Sequence, residues 1–332
     1  MMDILSSLIN GHNLEQTNQL STKQLNLESY IVHIDEKIQE PDPLICIGNT
    51  PIFTRGNISI VGGKQKSRKT FFVCMPIVSV LTGSYGIFST KSSSNLKVLF
   101  FDCEQSRKHS LRALKCIYKM AKFPEDVRNG NLILYSFREF SVNERKILIS
   151  KAIQEQKPDF VIVDGLVDIT IDFNSIEKSS ETIQLLMMLS SKYNCHICSI
   201  LHENKGDGNL RGHLGSIASQ KAETVIQLAD QGEYTKVEGT YTRDIGFDPF
   251  SFRITPELLP EISVIKSKNE IQLDEITKYF KQILEDKAIS FSQLVKDYSK
   301  VSGKANPTTK KHIKKAKELG IIYVENKLYR CH

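Results

Sequence analysis

The sequence has no apolar run approaching the ~20 residues that a membrane-spanning helix requires, so no helical span and no membrane partner is expected. Its first residues, Met1 to Gly11, lack the basic start of a secretory signal. Paired cysteines are also lacking. The seven cysteines are scattered, and Cys195-His196-Ile197-Cys198 has no second pair with which to complete a zinc site. Cys103 and Cys198 sit inside apolar runs, where a thiol behaves as a small hydrophobe. These absences together give the expectation of a reducing, cytoplasmic compartment. The rest is ordinary for a globular protein. The chain has 332 residues, 40% hydrophobic and 25% charged, enough for one sizeable α/β domain and a small second one.

Charge is unevenly placed. The net charge is +6, but from Lys266 onward 15 Lys/Arg stand against 8 Asp/Glu, a balance of +7 that leaves the preceding chain near −1. A basic C-terminal block on a near-neutral body points to a polyanionic partner; a merely solvated helical face is the alternative.

Residues 1–44 are polar, rich in Asn, Gln, Ser and Leu, and end in the linker Glu40-Pro41-Asp42-Pro43. Helical pieces over 14–37 would make either a docking arm or a loose tail. Residues 45–265 alternate strand-like runs (58–61, 97–102, 131–135, 160–164, 196–201, 224–228) with helical stretches (69–81, 108–122, 143–156, 179–193). Apolar strands separated by helices predict an α/β domain with a mostly parallel sheet covered on both faces. A Gly/Ser-rich loop is expected over 83–95, and shorter strands over 236–243 and 252–254 would extend the sheet edge antiparallel.

Residues 270–332 read as a separate domain. Ile276, Phe280, Ile283 and Leu284 form a helical stripe, and Ser290 would cap a second helix. A third has Asn306 as N-cap, Pro307 at the first helical position and Gly320 beyond its end. A hairpin turning at Glu325-Asn326 follows. Three helices and a hairpin is the order of a winged helix. Its third helix, with Lys310, Lys311, Lys314, Lys315 and Lys317, would enter a major groove of DNA. A winged helix that docks protein is the alternative.

The most informative stretch is Gly63-Lys64-Gln65-Lys66-Ser67-Arg68-Lys69-Thr70-Phe71, which follows the apolar run 58–61. It is a phosphate-binding loop with one deviation, Arg68 in place of the second glycine. Such a loop turns its N–H groups inward on a polyphosphate, helped by the N-terminus of the following helix. Lys69 would reach the β- and γ-phosphates, and the Thr70 hydroxyl would sit on Mg2+. Arg68 keeps its backbone donor if its side chain points outward, in which case helical backbone angles are expected for it. The run Asp159-Phe160-Val161-Ile162-Val163-Asp164 ends in a carboxylate suited to holding Mg2+ through its water shell. The run 98–104 ends in two further acids. Glu104 is the candidate base for an attacking water, with Asp102 as runner-up.

Taken together, these segments resemble the RecA-like P-loop ATPases, and within them the RepA-type and DnaB-type hexameric replicative helicases. The resemblance is carried by Gly63 to Thr70, Phe101-Asp102-Cys103-Glu104, Val161-Ile162-Val163-Asp164, Ser199-Ile200-Leu201-His202-Glu203-Asn204-Lys205 and Leu210-Arg211-Gly212-His213-Leu214-Gly215-Ser216. It spans about 45–255 and implies an ATPase using ATP and Mg2+. It also implies that Glu104 is the catalytic glutamate, that His202 senses the γ-phosphate, and that Lys205 and Arg211 meet single-stranded DNA in a central channel. Arg243 would reach a neighbouring subunit's site, making the active form a homo-oligomeric ring, expected to be a hexamer. The short N-terminal stretch and the C-terminal winged helix depart from the replicative helicases and are closer to AAA ATPases of plasmids and mobile elements. Two functions follow: a DNA motor, or an ATP-controlled switch that binds duplex DNA.

Overall fold

The computed structural model describes residues 28, 31–36, 43–91, 95–204, 206, 208–242, 246–263, 268–285 and 287–331. Most of the expected N-terminal arm therefore lies outside the described residues, as do Lys205 and Arg243. Contacts divide the chain into two compact units, Met1–Val264 and Ile265–His332.

The first unit runs β1 (Pro43–Ile47), β2 (Thr50–Thr54), β3 (Ile58–Gly63), α1 (Lys69–Thr82), β4 (Ser84–Tyr85), β5 (Phe88–Ser89), β6 (Val98–Asp102), α2 (Arg107–Ala121), β7 (Leu132–Ser136), α3 (Val142–Gln156), β8 (Phe160–Asp164), a 3-10 turn (Leu166–Ile169), α4 (Ile176–Tyr193), β9 (His196–His202), α5 (Gly212–Lys221), β10 (Thr224–Asp230), β11 (Tyr234–Thr242), β12 (Phe250–Ile254) and β13 (Pro260–Ser263). Nine strands form one sheet in the order β13-β12-β11-β10-β3-β9-β8-β6-β7. From β10 to β7 all pairings are parallel. The strands β11, β12 and β13 add an antiparallel edge.

The parallel strands are continuous apolar runs because both faces are covered. Alternation divides their side chains between two cores. Phe100, Ile162, Ile200 and Ile226 pack with Phe72 and Ile77 of α1 on one face. Leu99, Phe101, Val161, Val163 and Ile197 pack with Ile153 of α3, Leu186 of α4 and Leu214 of α5 on the other. In parallel strands all carboxyl ends open on one edge, where ligands collect. Because β9 lies between β3 and β8, His202 stands beside the loop after β3, with Asp164 one strand further.

The strands β1, β2, β4, β5 and β13 and the helix α5 were not anticipated. The Gly/Ser-rich stretch holds β4 and β5, which join β1 and β2 in a four-stranded sheet. Buried Phe88, edge-on to Phe72 and Phe250, supplies the packing that outweighs the turn chemistry around it. Helix α5 forms despite two glycines. Gly215 is required there, since a Cβ would lie 2.4 Å from the Leu210 backbone.

The second unit comprises α6 (Lys268–Leu284), α7 (Phe291–Ser302), α8 (Asn306–Glu318) and the hairpin β14 (Ile322–Glu325) with β15 (Leu328–Cys331). Its own core joins Ile276, Phe280, Leu294, Tyr298, Ile313 and Ile322. Ser290 caps α7 through the Gln293 N–H. For α8 the expectation shifts by one residue. Ala305 is the N-cap and makes no side-chain cap. The Asn306 side chain instead accepts a hydrogen bond from Ser299 Oγ at 3.0 Å, which ties α8 to α7. The hairpin turn likewise moves to Asn326-Lys327, the two residues with positive φ.

Candidate active site

Gly63 ends β3 at φ 154°, and a Cβ there would meet Ser67 Oγ at 2.5 Å and the Leu228 carbonyl at 2.6 Å, so only glycine fits. The loop then closes on itself: the Ser67 N–H donates to Lys64 O at 3.2 Å. Lys69, the first residue of α1, turns its ammonium back into the loop. It donates to Gly63 O at 2.9 Å and Lys64 O at 2.7 Å. Burial lowers its pKa to about 8, against the opposing pull of Asp164, Glu104 and Glu203.

Arg68 does not take helical angles. It stands at φ 64°, ψ 28°, the left-handed region that the motif's glycine would occupy. For a residue with a Cβ this costs about 1–2 kcal/mol. The side chain shows what offsets the cost. Its guanidinium points to the β10–β11 turn, donating to Asp230 Oδ1 at 3.2 Å, Thr235 Oγ1 at 2.9 Å and Gly232 O at 2.7 Å. The deviation in the motif is a clamp between the loop and the sheet edge.

Thr70 Oγ1 donates to Asp164 Oδ2 at 3.0 Å, joining the loop to the end of β8. Asp164 is buried. Burial first, then Asp102 and Glu104, push its carboxyl up to about 7 against the Thr70 hydrogen bond and Lys69. A hydroxyl and a carboxylate are hard oxygen donors of the kind Mg2+ takes. A cation at this buried acid would favour its ionised form, so the residues present fit the metal.

Asp102 is used internally. Oδ1 accepts from the Gln105 and Glu104 N–H groups at 2.8 and 3.3 Å, and Oδ2 from Ser110 Oγ at 2.7 Å. That holds the start of α2 and leaves Glu104 facing the cavity. Glu104 Oε2 lies 3.5 Å from His202 Nε2. The hydrogen bond to His202 keeps the Glu104 carboxyl below its usual value, against its partial burial. With Nε2 engaged, the His202 Nδ1 is buried without a hydrogen-bond partner among the described residues.

Gln65, Lys66, Ser67, Arg68, Lys69, Thr70, Phe71, Glu104, Asp164 and His202 line one cavity of about 470 Å³; Gly63 and Lys64 do not line it but accept hydrogen bonds from Lys69, which does. The sequence reading did not single out the far wall, formed by Cys74 of α1 and by Gln105, His109, Arg112 and Cys116. Residues 109, 112 and 116 follow helical spacing on one face of α2, but the sequence carries no signal that this face lies against α1.

The expected DNA-contacting residues are not gathered here. Arg211 is the N-cap of α5, and its guanidinium lies 4.5 Å from the centre of the Phe173 ring. Lys310, Lys311 and Lys314 are exposed on α8 of the second unit, with Lys315 half-buried. Cys195 and Cys198 are buried in and beside β9, and among the described residues no cluster of three or more His, Cys, Asp or Glu could hold a metal.

A phosphate loop opening a helix, with a strand-end carboxylate bonded to its threonine, defines a P-loop nucleoside triphosphatase domain. The chain belongs to the AAA domain family, which matches residues 22–208. No curated protein matches the chain. No helix among the described residues is long and apolar enough to cross a membrane.

Proposed function

We propose that the chain is an ATP-hydrolysing motor on DNA, a ring-forming helicase or translocase serving replication or transfer of a mobile element. The observation that carries the reading is the single cavity in which Lys69, Thr70, Asp164, Glu104 and His202 converge. Lys69 exchanges its bonds to the loop carbonyls for phosphate oxygens. Thr70 and Asp164 would hold Mg2+, which when bound would neutralise charge on the phosphates. Glu104, kept ionised by His202, takes the proton of the attacking water. His202 links this base to β9 and to the loop that follows it, where Lys205 and Arg211 are assigned to single-stranded DNA. Arg243 acts in the neighbouring protomer's site, so hydrolysis depends on assembly. Arg243→Ala then abolishes hydrolysis and leaves ATP binding intact; lost binding would remove it from that role.

The basic exposed face of α8 favours a second reading, a winged-helix switch on duplex DNA in which nucleotide controls assembly. ATP hydrolysis measured with and without single-stranded DNA separates the two. Strong stimulation that disappears in Lys69→Ala supports the motor. Slow turnover indifferent to single strands supports the switch.

A further inference from the structure

Helix α2 carries Arg107, Lys108, Arg112, Lys115 and Lys119, and no acid. The last four recur at three- and four-residue intervals, so they form one stripe along the helix, and all four are exposed. Beside the stripe lies a cavity of about 230 Å³ that α2 forms with Glu257, Leu258 and Leu259 of the β12–β13 turn. Leu111 of the helix and Leu258 of the turn line it with 51% and 48% of their surface exposed. The positive charge is largely uncompensated. Lys115 lies 3.8 Å from Glu125, and Glu257 is the cavity's one acid. Lys108 and Arg112 have no ion-pair partner among the described residues.

The turn holds Leu258 in place. Its N–H donates to Thr255 O at 2.9 Å, and the Thr255 N–H donates to Leu259 O at 2.9 Å. Cys116 Sγ donates to Leu258 O at 3.7 Å, which pins the turn to α2. Leu258 itself stands at φ 62°, the left-handed region that glycine or asparagine enters at less cost. A strained leucine left facing solvent is explained by what covers it.

We infer that this groove docks an acidic segment of a partner protein that carries a large apolar side chain. Carboxylates of the segment meet the basic stripe, and its apolar side chain fills the cavity against Leu111, Leu258 and Leu259. Charge complementarity sets the sign of the partner, and the leucines set its class. The cavity is smaller than the roughly 300 Å³ at which small-molecule sites begin. Its lining has no aromatic ring on which a nucleobase could stack, and a phosphate backbone gains nothing from three leucines. Arg112 also lines the nucleotide cavity, whereas Lys108 and Leu258 do not, so those two carry the test.

The experiment measures, by fluorescence anisotropy, binding of a short labelled Glu-Leu peptide to the full-length protein. An all-Glu peptide, a Ser-Leu peptide and single-stranded DNA are the competitors. The Glu-Leu peptide is expected to bind at least about tenfold more tightly than either control peptide, and added salt to weaken it. Lys108→Glu and Leu258→Gly are each expected to weaken it about tenfold. Melting temperature and ATP affinity should not fall in either variant, because Lys108 is exposed and glycine is at ease at φ 62°. No binding of the Glu-Leu peptide, equal binding of the all-Glu peptide, or binding unchanged in Leu258→Gly overturns the proposal. Displacement by single-stranded DNA that Lys108→Glu prevents assigns the stripe to nucleic acid instead. Self-association that the peptide disperses, and that both variants abolish, assigns the groove to a second copy of the chain.

Discussion

Arg68 holds the backbone position of a glycine, and its guanidinium, bonded to Asp230, Gly232 and Thr235, supports that conformation. Arg68→Gly loses the clamp but relaxes the backbone. Arg68→Ala loses the clamp and keeps the strain. Thermal unfolding should therefore show Arg68→Ala less stable than Arg68→Gly by about 1 kcal/mol. His196 gives a second residue-level prediction. It is buried between Thr54 O, 2.7 Å from Nδ1, and Ser59 Oγ, 2.8 Å from Nε2. Burial lowers its pKa to about 4, with the Thr54 hydrogen bond opposing. The folded state keeps the ring neutral while the unfolded chain protonates near pH 6.5. Stability is thus fully present above about 6.5 and falls as pH drops toward 4, by on the order of 3 kcal/mol. Melting temperature against pH should show this fall, and His196→Gln should flatten it. The loop motif was legible in the sequence as residue types at fixed spacing. The Arg68 clamp was not, because Asp230 and Thr235 lie more than 160 residues away in the chain.

Strands and helices differ in how openly the sequence announces them. β3, β6, β8 and β9 are long apolar runs buried on both faces, and such runs need no partner to be recognised. β4 and β5 have two residues each, and α5 contains two glycines, so tertiary packing alone creates them. Legibility of the site followed the same division. Glu104, Asp164 and His202 were readable as polar residues ending apolar strands, whereas the wall supplied by α2 required knowing that α2 lies against α1. The start of α2 also carries a prediction. Ser110 Oγ satisfies the buried Asp102 carboxylate. Ser110→Ala should cost about 1–3 kcal/mol in urea unfolding. It should also slow ATP turnover more than it weakens ATP binding, because Glu104 is positioned from Asp102.

At the scale of the whole molecule, two units each carry their own hydrophobic core. Removing residues 265–332 should leave a first unit that unfolds cooperatively and binds ATP as the full chain does, which calorimetry with and without Mg-ATP would show. Under the winged-helix reading the same truncation loses duplex DNA binding. The most direct test of the central claim, that Glu104 drives hydrolysis in a Mg2+-dependent nucleotide site, is to compare ATP binding and single-turnover hydrolysis in the unaltered protein and in Glu104→Gln. The account predicts Mg2+-dependent binding in both and hydrolysis slowed at least about a hundredfold in the variant. Hydrolysis at an unchanged rate in Glu104→Gln, or no ATP binding by the unaltered protein, would contradict it.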